Sequence, residues 1–178
     1  NVFRSPLDLA NDIRGNDLFL DLYDCPESVE RLLDLCVDSI IELDKLFRRE
    51  IRILREAPGG VWGVALLSPG MMFLNGDTID LIHEDMGYRF NNPYVEKLIN
   101  YAGSLYFHHH SIGVSRAYSA SRIKGTMIQE ILQDPNGPKL LESIDDKLIY
   151  ASLETPIDLG VNLLESQDSD EILKLLKN

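Results

Sequence analysis

Short apolar runs alternate with longer segments of helical periodicity, and this alternation restricts the fold more than any other feature of the chain. The runs Val61 to Leu67, Leu105 to His110, Thr126 to Leu132 and Leu148 to Leu153 read as buried strands bounded by turn residues. Helical segments fall between and after them, at Thr78–His83, Pro93–Ala102, Ser115–Lys124 and Lys139–Asp146. Strands separated by helices build βα units, so the chain is predicted to be α/β with a parallel sheet of about four strands in chain order. Two helices precede the first run. Ser5-Pro6-Leu7-Asp8 starts one that reaches Ile13 and ends near Gly15, because serine caps, proline suits the first helical position and the acid complements the dipole. Asp24-Cys25-Pro26-Glu27 opens the second in the same manner. Its apolar stripe is Val29, Leu32, Leu33, Cys36, Ile40, Leu43 and Phe47, and it is predicted to run to about Arg55 with its charges on a solvated face. Pro58-Gly59-Gly60 breaks it. Pro69-Gly70 begins a loop that carries Asn75 and Asp77, and Asp168 or Ser169 caps a last helix through Leu176. No repeat, low-complexity segment or linker divides residues 1–178, which read as a single domain.

The chain's 178 residues suffice for one real core. A net charge of −12 argues against nucleic acid as a partner, since phosphate binding needs a basic surface. No segment approaches the length of a membrane span, so no membrane partner is expected. Cys25 and Cys36 form neither a metal spacing nor a disulfide framework, and Cys36 lies on the apolar stripe. A reducing, cytoplasmic setting fits that usage. No signal peptide is read, and a first residue of Asn rather than Met leads us to expect a fragment or a trimmed product.

Tyr101 to Gly113 carries the strongest chemical signal: an apolar run that ends in His108-His109-His110. On a strand, His108 and His110 share one face and His109 takes the other. Right-handed crossovers bring all strand C-terminal ends to one side, where α/β folds form their sites. Asp77, His108, His110, Gln133, Asp134 and Glu154 all collect at that edge. His108 and His110 read as general acids, hydrogen-bond donors to a carboxylate, or metal ligands with Asp77 or Glu154; the competing reading is a satisfied strand-end pair. Asp77 reads equally as an orienting acid or a helix N-cap, and Glu154 as a site acid or a loop residue. Gln133 and Asp134 are more simply turn residues. Tyr94 and Trp62 read as packing, and Met71-Met72 as gap fillers.

Several segments, in order and spacing, resemble the uroporphyrinogen decarboxylase-like superfamily, which also contains corrinoid-dependent methyltransferases. They are Ser5-Pro6-Leu7-Asp8-Leu9-Ala10, Arg14-Gly15 and Asp21-Leu22-Tyr23-Asp24-Cys25-Pro26-Glu27. Asp77 with Leu81-Ile82, Phe90 and Pro93-Tyr94 follow, then Phe107-His108-His109-His110-Ser111-Ile112-Gly113, Gln129 and Asp134-Pro135-Asn136-Gly137-Pro138.

The resemblance implies a TIM (β/α)8 barrel with its site at the C-terminal strand ends. Such a barrel takes roughly 250 residues, so this chain is expected to be a partial one, without the family's early strands and its last strand. It implies a decarboxylase-type lyase of porphyrin biosynthesis that acts on a tetrapyrrole or related anionic substrate through His108, His110, Asp77 and Glu154. The alternatives are a methyltransferase-like protein, with corrinoid or a metal as cofactor, and a non-catalytic interaction protein built on the scaffold. Where the zinc methyltransferases place a His-x-Cys pair, His110 matches the histidine but Ile112 occupies the cysteine position, and no cysteine follows Cys36. No tightly bound zinc of that kind is therefore expected. The arginine-rich loop of the decarboxylases has no counterpart either. Missing chain segments or a second copy are expected to cover the sheet edges.

Overall fold

The computed structural model describes residues 2–51, 59–61, 65–67, 71–109, 119–120, 122–125, 127–130 and 148–151. Ser5 starts the first helix, α1 (Pro6–Arg14), by accepting the Asp8 N–H at its hydroxyl, and Gly15 at φ 70° ends it. A 3-10 turn (Gly15–Asp17) leads into α2 (Leu18–Asp24), and Pro26 opens the long α3 (Pro26–Glu50). Later come α4 (Glu84–Phe90) and α5 (Asn92–Ala102).

The strands are β1 (Val2–Arg4), β2 (Gly59–Val61), β3 (Ala65–Leu67), β4 (Met72–Asn75), β5 (Leu105–His108), β6 (Met127–Glu130) and β7 (Leu148–Ala151). Five of them form one sheet in the order β1-β4-β5-β6-β7, with every neighbouring pair parallel. Apart from β2 and β3, strands that follow one another in the chain lie side by side. The fold is therefore α/β with a parallel sheet, as the alternation predicts.

Strand alternation sorts the sheet into two faces. Phe3, Met72, Leu74, Leu105 and Phe107 join the core with Leu7, Leu18, Leu33, Ile40, Val95 and Leu98 of the helices. α3 packs on α1, α2 and α5. Phe73 and Tyr106, paired across β4 and β5, are buried on the opposite face with ring centroids 5.1 Å apart. At the end of that face the register brings Asn75 beside His108.

Several expectations need correction. Val61 to Leu67 is not one strand of the parallel series: β2 and β3 pair antiparallel in a separate two-stranded sheet. The strand that neighbours β5 is β4, in the stretch read as a loop. β1, α2 and α4 were not anticipated. α3 ends at Glu50, short of Arg55, and Leu43 is exposed. The charges of α3 are not all solvated. Asp44 is buried, with Arg48 Nε at 2.5 Å and the Tyr101 hydroxyl donating to it at 3.1 Å. The expected helices at 139–146 and 169–176 lie outside the described residues, as do 115–118 and 121 of the helix expected at 115–124. Among the described residues no helix is long and apolar enough to cross a membrane.

Candidate functional site

The site grows out of the step from β4 to the turn after it. Asn75 ends the strand, and Gly76 extends the ladder by donating its N–H to the His108 carbonyl at 2.8 Å. A Cβ at position 76 would lie 2.4 Å from Cε2 of Phe107, so this close approach of backbone to ring requires glycine. Asp77 then opens a 3-10 turn, Asp77–Leu81. Its carboxylate faces the end of β5: Oδ1 is 3.7 Å from His108 Nε2, and Oδ2 accepts the Asn75 side-chain amide at 2.9 Å. The His108 side chain is 9% exposed, whereas that of Asp77 is half-open to solvent. At 3.7 Å the contact is longer than a hydrogen bond and becomes an ion pair when the imidazole is protonated.

The neighbouring histidine repeats the arrangement inside the core. His109 is 0% exposed, and its Nδ1 lies 3.6 Å from Oδ1 of Asp80, which is as deeply buried. The Phe107 ring sits 5.4 Å from that imidazole. Asp77 and Asp80 are three residues apart on a 3-10 turn, and consecutive histidines leave β5 on opposite faces. One turn thus supplies a carboxylate to each histidine, one pair toward the open edge and one toward the helices.

The turn is tied back to α1. Asp8, 2% exposed, accepts the backbone N–H of Asp77 at 3.2 Å and of Thr78 at 2.7 Å. Arg4 Nη1 approaches Asp8 at 3.6 Å while its Nε donates to Asp12 at 2.9 Å. Burial pushes the Asp8 carboxyl above its usual range, and its contacts with Thr78 pull against that rise.

Of the predicted site residues, His108 and Asp77 come together. His110 and Glu154 lie outside the described residues, as do Trp62, Gln133 and Asp134. Tyr94 is a packing residue: it is buried, donates to the Glu30 carbonyl at 3.4 Å and carries Lys97 over its ring. Met72 is core and Met71 half-buried. Sequence reading missed Asp80, the role of His109, and the reach of Asp8. The matched signal was present for the first two, as consecutive histidines and acids one 3-10 turn apart.

Among the described residues no group of three His, Cys, Asp or Glu side chains is placed to hold a metal ion. His108 and Asp77 are two donors, fewer than a zinc site takes. No family model matches this chain, and the comparisons with curated proteins and with solved structures found no similar one.

Proposed function

We propose that this chain is the middle-to-late part of a uroporphyrinogen decarboxylase-like barrel, and that His108, assisted by Asp77, supplies a proton to a tetrapyrrole or related anionic substrate. The observation that carries this reading is the His108–Asp77 pair at the C-terminal end of a parallel sheet whose strands follow chain order. A carboxylate near an imidazole favours the imidazolium form, which both donates a proton and offers a positive charge to an anion. In a decarboxylation the bond from carbon to the leaving carboxylate breaks and carbon dioxide departs. The electron pair left on carbon takes the proton that His108 Nε2 holds. His110 and Glu154 are proposed to complete the same rim. This reading also carries the expected setting: a small-molecule substrate and a cytoplasmic enzyme.

The test is anaerobic incubation of the full-length protein with uroporphyrinogen, followed by oxidation and chromatography of the porphyrins. We expect products with fewer carboxylates. Replacement of the proton donor in His108→Gln should slow their appearance by about 10²–10⁴-fold. Absence of both product and uroporphyrin binding in the unaltered full-length protein would overturn the reading.

A further inference from the structure

We propose that Asp8 is a positioning residue for His108: its buried carboxylate clamps the turn that carries Asp77. This inference rests on the His108–Asp77 pair being the working site. The first amides of a helical turn have no partner within it. Here Asp8 gives one oxygen to each, across 69 and 70 residues of sequence. Burying a carboxylate is unfavourable unless its oxygens are satisfied.

The rest of the junction agrees. Ser5, which seats Asp8 in α1, donates its backbone N–H to the Asn75 carbonyl at 2.6 Å, and Gly76 donates to the His108 carbonyl at 2.8 Å. The start of α1, the end of β4 and the end of β5 are therefore joined within a few residues. Asp8 fixes the one member that is not in the ladder, Asp77. The Arg4 guanidinium offsets the charge this brings to the junction. An asparagine at position 8 keeps one carbonyl oxygen but turns an amide N–H toward the other backbone N–H. The clamp then loses a bond and gains a donor–donor contact.

The experiment is an imidazole ¹⁵N NMR titration of the full chain, following His108 in the unaltered protein, Asp77→Asn, Asp8→Asn and the double variant. Asp77→Asn should lower the His108 midpoint by about one pH unit, because an opposite charge is removed. Asp8→Asn should lower it by at least half that shift. In the Asp77→Asn background Asp8→Asn should then have no further effect, since Asp8 acts through Asp77. An equal shift in both backgrounds, or none in either, overturns the proposal. If Asp77→Asn itself leaves the midpoint unmoved, the failure belongs to the pairing behind the proposed function. Should Asp8→Asn not fold, amide exchange of the unaltered chain decides: slow Asp77 and Thr78 amides support the clamp, and amides as fast as open chain refute it.

Discussion

Gly76 shows how the absence of a side chain can set a site. The Phe107 ring occupies the space that a Cβ would need, and the same residue's N–H holds the His108 carbonyl. Gly76→Ala is expected to lower stability by about 1–3 kcal/mol, the usual effect of overpacking, and thermal unfolding will read it; an unchanged Tm would mean that the ring moves freely aside. Cys36 gives a second prediction. Burial pushes its thiol up from 9.0 to about 11. A thiol that holds its proton in the folded state beyond the point where the unfolded chain releases it contributes stability below pH 9. That contribution is lost as pH rises toward 11. Urea midpoints should fall over this window, and the fall should be shallower in Cys36→Ala. At pH 8 iodoacetamide should modify Cys36 only after unfolding, since the thiolate is the nucleophile. His108 was legible because it ends an apolar strand. Asp77 was singled out from the wrong strand, since the run at 61–67 is not in the parallel sheet and β4, which Asp77 follows, reads as a loop in the sequence. Asp8 was not legible, because its partners lie 69 and 70 residues away.

At the scale of elements, α3 was readable and β4 was not, for related reasons. A 25-residue helix repeats its apolar stripe often enough to stand above noise, and Val29, Leu33, Cys36 and Ile40 are all buried. Leu33→Ala is expected to cost about 2–5 kcal/mol in chemical unfolding, because Leu33 is 0% exposed at the contact with the other helices. A change under 1 kcal/mol, roughly the level of a surface site, would place α3 outside the core. β4 offers only Met72-Phe73-Leu74-Asn75, a short apolar run buried on both faces, which lacks the alternation that marks a half-buried strand. β1 is shorter still. In α4 the glycine at position 87 argues against a helix locally. It is kept by its neighbourhood, where a Cβ would meet Ser119 Oγ at 2.3 Å. α2 exposes Leu20 and Tyr23, so no clean stripe announces it. In each case tertiary contact overrides a local pattern, and nothing local records the contact.

Over the whole molecule, the order β1-β4-β5-β6-β7 makes a graded sheet. A barrel wall and an open sheet both begin with parallel strands in chain order, and they differ at the edges. In the described sheet β4 and β5 have partners on both sides, and their residues Phe73, Leu74, Leu105, Tyr106 and Phe107 are at most 2% exposed. Among the described residues β1 pairs on one side only, with β4, and β2 and β3 pair only with each other. An isolated two-stranded pair is marginal in water, and edge strands open before central ones. Native-state amide exchange should therefore rank the sheet. Amides of Leu74 and Tyr106 should exchange only with global unfolding, that of Phe3 earlier, and that of Gly60 earlier again. A Gly60 amide as slow as that of Tyr106 would put the hairpin in the main cooperative unit and break the ranking. A Phe3 amide that slow would mean that another strand pairs along the outer side of β1. Closing a barrel demands a strand along that side, so β1 is where the partial-barrel reading meets its sharpest test.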